Sequence, residues 1–224
     1  MRSLAIDVGN TRIKAALFED GVMKSCTVCS DGNIPDADHS IVSLTGAAPE
    51  WLPTGCLVLN ASLKLPIRIS YSTPESLGSD RIAAASAAWV ECGHPLAVID
   101  AGTCITVDYV DAKGVYRGGA ILPGIAMKFR ALHNFTARLP LLNIDEGLDK
   151  TNPIGESTYG SIASGVVCAT RYALEGYVRE LSADAGCDVD VVVTGGDAGL
   201  VAGKWDIQPN LVMYGLHRIL MMNI

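Results

Sequence analysis

Two stretches of this chain repeat one pattern 93 positions apart: Leu4-Ala5-Ile6-Asp7-Val8-Gly9-Asn10-Thr11 and Ala97-Val98-Ile99-Asp100-Ala101-Gly102-Thr103-Cys104. Each has an apolar run, an acid, and a glycine two residues later. Each is followed by a second apolar run, Ile13 to Phe18 and Ile105 to Val110, and by a turn glycine, Gly21 and Gly114, fourteen residues beyond its acid. The pattern predicts strand, tight turn, strand in both places. Recurrence of the acid and both glycines without a gap is the mark of an internal duplication. It restricts the chain to two lobes of the same build, expected over 1–94 and 95–224, with the last helix able to pack back on the first lobe.

The length permits this, because 224 residues at 49% apolar composition can fill two cores. Between the repeats lie a turn-rich stretch, Asp31 to Pro53, a strand-like Cys56 to Asn60, and an Ala-rich helical segment, Asp80 to Glu91. After the second repeat, Gly118 to Gly124 reads as a loop. It leads into a helix on which Ile125, Phe129, Leu132, Phe135 and Leu139 recur at helical spacing. A helix over Ser161 to Leu181, a buried strand over Val189 to Thr194 and a last helix over Leu211 to Met222 complete an α/β order. The expected class is a duplicated α/β fold with two lobes around a cleft.

Charge and cysteine usage exclude several classes. Seventeen basic residues against 24 acidic ones give a net charge of -7, with no concentrated basic run, so nucleic acid is not expected as a partner. Seven cysteines without framework spacing fit a reducing cytoplasm. The apolar run that opens the sequence meets Asp7 too early for a secretory signal core, and no apolar stretch approaches membrane-span length. Cys26 and Cys29 have no second ligand pair, and the four histidines share no metal-like spacing.

Asp7, Val8, Gly9, Asn10, Thr11, Arg12, Ile13 and Lys14 place an acid at a strand end and a glycine where a ligand needs close approach. Amide, hydroxyl and ammonium groups follow on the next turn. Such a turn can cradle phosphates, with Asp7 holding Mg²⁺ through water; the lesser alternative for this motif by itself is a plain β-hairpin. Asp100-Ala101-Gly102-Thr103 would grip the same polyphosphate from the other lobe, and Gly195-Gly196 would lie against the adenosine. Gly78-Ser79-Asp80-Arg81 opens the Ala-rich helix with a carboxylate that can take a proton beside a guanidinium that can pair with one. Read alone, Ser79 or Asp80 serves as well as a helix cap.

The ordered set of Asp7-x-Gly-Asn-Thr-x-x-Lys14, Tyr71 before Gly78-x-Asp-Arg81, Asp100-x-Gly-Thr103, Gly118-Gly119 to Pro123-Gly124 and Thr136-Ala137-Arg138-Leu139-Pro140 resembles the type III pantothenate kinases over nearly the whole chain. The resemblance implies a duplicated ribonuclease H-like (actin-like ATPase) fold. It implies ATP-dependent phosphorylation of pantothenate to 4'-phosphopantothenate, the first step of coenzyme A synthesis, by a cytoplasmic homodimer. Asp80 would be the general base, with Tyr71, Gly78, Ser79, Arg81 and Thr158 around the substrate. Asp7 to Lys14 and Thr103 would hold ATP with its Mg²⁺, and Asp100 would be the site of a monovalent cation, K⁺ or NH₄⁺. Cys104 departs from the family's usual Ala, and the first lobe is short. The alternatives are an actin-like kinase for another small molecule and a catalytically silent regulatory protein.

Overall fold

The computed structural model describes residues 1–29, 32–144 and 147–224. Asp31, the expected start of the turn-rich stretch, and Asp145 and Glu146 lie outside the described residues. In chain order the strands and helices are β1 (Arg2–Val8), β2 (Ile13–Glu19), β3 (Val22–Cys29), β4 (His39–Leu44), β5 (Leu57–Val58), β6 (Arg68–Ile69) and α1 (Ser79–Cys92). They continue with β7 (Leu96–Ala101), β8 (Cys104–Val110), β9 (Val115–Pro123), α2 (Ile125–Asn134), α3 (Thr158–Ala163) and α4 (Ala169–Ala185). The chain closes with β10 (Asp190–Thr194), α5 (Ala198–Val201), β11 (Asp206–Ile207) and α6 (Leu211–Met221).

The repeat seen in the sequence is a repeat of topology. The first sheet has the strand order β3-β2-β1-β4-β5, and the second, β11-β10-β7-β8-β9-β6, contains the same order read from β9 to β11. In the first sheet β1 to β3 form an antiparallel meander, while β4 runs parallel to both β1 and β5. Both hairpin glycines take left-handed backbone, φ 81° at Gly21 and φ 68° at Gly114, which is why glycine is needed at each turn. Compact packing groups Met1–Leu96, Tyr109–Gly118 and Asn210–Ile224 in one unit, and Ala97–Asp108 with Gly119–Pro209 in another.

In the first unit, strand alternation divides β1 between two faces. Leu4, Ile6 and Val8 join Ala15, Cys29 and Val42 in one core, with Trp51 and Leu52 packed on it. Ser3 faces the other way, toward α6, where its hydroxyl meets His217 Nδ1 at 3.0 Å. His217 stacks on Phe18 with the rings 4.2 Å apart and 3° from parallel. The two helices over this face, α1 and α6, come close because their contact residues are small: a side chain at Gly215 would overlap the Ala83 carbonyl.

Three segments differ from the sequence expectation. His39 to Leu44, inside the expected turn-rich stretch, is a parallel strand with Ile41 and Val42 fully buried. Gly118 to Pro123 is the second half of β9 rather than a loop; at Gly119 that strand passes so near the Val107 carbonyl that any Cβ would collide with it. The single long helix expected from Ser161 is instead α3, a π-turn over Ser164–Cys168, and α4, with the Ser164 hydroxyl donating to the Pro153 carbonyl. The stripe from Ile125 also ends early: α2 stops at Asn134, Phe135 is exposed, and His133 Nδ1 meets the Leu139 carbonyl at 2.8 Å. Among the described residues no helix is long and apolar enough to cross a membrane.

The α1 and α6 contact gives a direct test. Gly215→Ala is expected to cost about 1–3 kcal/mol through overpacking, seen as a Tm several degrees lower. Gly199→Ala, in α5 with open space around the position, should leave Tm unchanged or slightly raised.

Candidate active site

Asp7 is the last but one residue of β1, flanked across the ladders by Lys14 of β2 and Ser43 of β4. On the sheet face that carries Ser3 and Ser43, α1 begins, so the register brings the Asp7 carboxylate into the field of Asp80. The Ser43 hydroxyl hydrogen-bonds to Asp7 and lies 3.0 Å from Ser79 Oγ, which accepts the Leu44 N–H at 3.0 Å. Because the Leu44 amide can only donate, Ser79 has its own proton free for Ser43, and Ser43 has its proton free for Asp7. Burial first, and the Asp80 charge second, push the Asp7 carboxyl up to about 6, against the opposing effects of Ser43 and Lys14. Asp7 Oδ1 is buried without a hydrogen-bond partner. An unpartnered buried carboxylate oxygen is the feature expected where a hydrated cation or a ligand donor completes the site.

The turn beyond Asp7 is tight. The Gly9 N–H donates to the Arg12 carbonyl at 3.2 Å, and a Cβ on Gly9 would stand 3.1 Å from that oxygen. Asn10, Thr11 and Arg12 are exposed on the turn, whereas the Val8 and Ile13 side chains belong to the core, so those two positions offer only backbone to a ligand. The loop after β4 braces the turn, as the Thr45 and Gly46 N–H groups and the Thr45 hydroxyl all donate to the Val8 carbonyl.

Gly78 is the N-cap of α1, and no side chain caps the helix. Ser79, the alternative cap, instead ties α1 to β4. Asp80 Oδ1 accepts the Arg81 N–H at 2.8 Å and folds back over Gly78, where a Cβ would come within 2.5 Å of it. That is the physical reason for glycine two residues before the acid. A carboxylate in the first helical turn is also favoured by the helix dipole. The Arg81 guanidinium is buried over the Tyr116 ring, 6.0 Å from its centre, and Tyr71 meets the same ring edge-on at 6.1 Å. A cavity of about 750 Å³ opens beside this helix start, lined in part by Leu44, Thr45, Leu59, Asn60, Leu77 and Ser79. The structure thus brings together, within the first unit, Asp7, Lys14, Tyr71 and Gly78 to Arg81.

In the second unit the corresponding turn is shorter, with two residues between the strands where the first has four. The Gly102 N–H donates to the Cys104 carbonyl at 2.9 Å, and Thr103 is exposed on the turn. Gly124 packs against the Gly102 and Thr103 carbonyls so closely that no side chain fits. Gly195, at φ 97°, runs against Asp100: a Cβ there would be 2.5 Å from Asp100 Oδ1. Thr158 opens α3, exposed, one residue after its Ser157 cap.

Residues 35–180 match the family described as type III pantothenate kinase. A type III pantothenate kinase from Phocaeicola vulgatus is 33% identical over 242 residues, covering 99% of this chain and 98% of that protein. The chain belongs to the type III pantothenate kinase family. Its fold is similar to that of a conserved Baf family protein from Campylobacter jejuni, with a TM-score of 0.66 at 20% identity over 97% of each chain. It is also similar to a glucokinase from an Antarctic psychrotroph, with a TM-score of 0.50 at 12% identity over 98% of each chain. The fold of this pantothenate kinase family member is the duplicated ribonuclease H-like fold, its two sheets having one strand order. Ser43, Thr45, Asn60 and Tyr116 were not singled out in the sequence. Tyr116 stood two residues before the Gly118-Gly119 pair that was.

The elevated Asp7 carboxyl has a consequence for stability. The folded chain binds this proton more tightly than the unfolded chain, whose ordinary value is 3.8. The stability it contributes is therefore complete below that value and lost as pH rises through about 6, a loss on the order of 2–3 kcal/mol. Asp7→Asn should raise Tm at about pH 7.5 and give no gain at about pH 4, as followed by calorimetry. No gain at the higher pH would contradict the burial of a charged Asp7.

Proposed function

We propose that this chain transfers the γ-phosphoryl group of ATP to the primary hydroxyl of pantothenate, yielding 4'-phosphopantothenate and ADP, the first step of coenzyme A biosynthesis. It is then a phosphotransferase with an alcohol acceptor. The observation that carries the reading, beyond family membership, is the placement of Asp80 in the first turn of α1, where its charge acts on Asp7, a carboxylate with one unpartnered oxygen.

In this reading Asp80 accepts the hydroxyl proton as the new oxygen–phosphorus bond forms. The bond from the γ-phosphorus to its bridging oxygen breaks, and that electron pair leaves with ADP. Arg81 and Tyr71 hold the substrate, with Gly78, Ser79 and Thr158 around it; the Ser79 hydroxyl is already committed to β4, so its part is to fix the helix start. The cavity beside Gly78 and Ser79, none of whose lining residues is basic, suits the uncharged body of the substrate rather than its carboxylate.

The turn from Asp7 to Lys14, with Thr103, binds ATP. Mg²⁺ carried with ATP supplies neutralisation of the phosphate charge, and the free Asp7 Oδ1 is the oxygen placed to accept from its hydration shell. Asp100 would hold K⁺ or NH₄⁺, a role it takes from the family resemblance. The proposed lobes are 1–94 and 95–224 with the last helix returned to the first, and the proposed working form is a cytoplasmic homodimer without a nucleic-acid partner.

ADP release measured with and without pantothenate tests the reading. Turnover should require pantothenate, fall when K⁺ is replaced by Na⁺, and drop by about 100-fold or more in Asp80→Asn while the KM for ATP is kept. Turnover indifferent to pantothenate would overturn the substrate, and full activity in Asp80→Asn would overturn the base.

A further inference from the structure

Tyr71 lies in the connection after β6 and Arg81 on α1, ten positions apart in sequence, yet both meet one ring. Tyr116 is fully buried on β9, where it pairs with Ile69 of β6 and its carbonyl accepts the Ser70 N–H at 3.0 Å. Its face carries the Arg81 guanidinium at 6.0 Å, and the Tyr71 ring meets it at 6.1 Å with the planes 62° apart. Gly118, two residues on at φ 105°, keeps the path clear: a Cβ there would come within 3.2 Å of Tyr71 Cε2.

We infer that Tyr116 is the positioning residue of the acidic substrate's binding group, its ring setting the orientation of the Arg81 guanidinium and the Tyr71 side chain together. A buried guanidinium on a long flexible stem must be held in one orientation before a carboxylate can meet it two-pronged, and an aromatic face contributes to that hold. The inference rests on the pantothenate reading, and it concerns binding of the acid rather than the chemical step. Loss of the ring should therefore appear in the KM for the acid and not in kcat or the KM for ATP.

The test compares Tyr116→Leu, Tyr116→Phe and the same position carrying trifluorophenylalanine, which keeps the ring's shape and drains its negative face. Wild-type ADP release in response to pantothenate checks the underlying reading separately. With that in hand, Tyr116→Leu should raise the KM for pantothenate about 3- to 30-fold, with kcat and the KM for ATP within about twofold of wild type. Tyr116→Phe keeps the ring and should recover most of the loss seen in Leu, and the fluorinated ring should lie between Phe and Leu. If Leu is too unstable to assay, the comparison of Phe with its fluorinated form decides. A KM insensitive to fluorination, a Phe variant as impaired as Leu, or a parallel loss in both KM values with a lowered Tm would overturn the inference.

Discussion

A carboxylate that is buried, charged and incompletely hydrogen-bonded is the constraint around which the first unit is arranged. Asp7 sits at the end of a strand whose neighbours on either side offer Lys14 and Ser43, and its carboxyl rises to about 6 because burial and the Asp80 charge outweigh both. A fold selected for stability alone would satisfy or remove that oxygen. Retaining it leaves an acceptor in place for a ligand, at a standing cost in folding free energy. The hydroxyl chain from Leu44 through Ser79 and Ser43 makes the arrangement rigid, because it fastens the start of α1, and with it Asp80, to the sheet that carries Asp7.

Close backbone approach does the rest of the positioning. Gly78 lets the Asp80 carboxylate fold back over the helix start, Gly124 lets α2 begin against the Gly102 turn, and Gly195 lets the chain pass beside Asp100. These glycines act through what they lack, and each stands next to an acid or a turn proposed to meet ligand. Gly215 performs the same service in the core, where it admits α6 against α1.

The duplication was legible because it is written in short-range terms: an apolar strand, an acid and a glycine at fixed spacing give a strand, a turn and a returning strand in both halves, though the second turn is the shorter. The helix at Ser79 was legible from its Ala content and its Gly78 start. What escaped was decided by partners remote in sequence. His39 to Leu44 is only six residues long amid turn formers, and it becomes a strand because β1 and β5 offer a ladder on each side. Gly118 and Gly119 read as loop residues, yet β8 claims Gly119 as a strand position where close approach excludes a side chain. The π-turn at Ser164 depends on a Pro153 carbonyl eleven residues away, which no helical periodicity announces. Ser43 and Tyr116 carry no motif, and they become informative only once β4 and β9 set them beside Asp7 and Arg81.

Burial and the charge of Asp80 together raise the Asp7 carboxyl. A carbon-13 NMR titration of the side-chain carboxyl of Asp7, in wild type and in Asp80→Asn, measures this directly. The expected midpoint is near 6 in wild type and lower once the Asp80 charge is removed. An Asp7 midpoint at the ordinary aspartate value, or one that does not move when Asp80 becomes neutral, would contradict it.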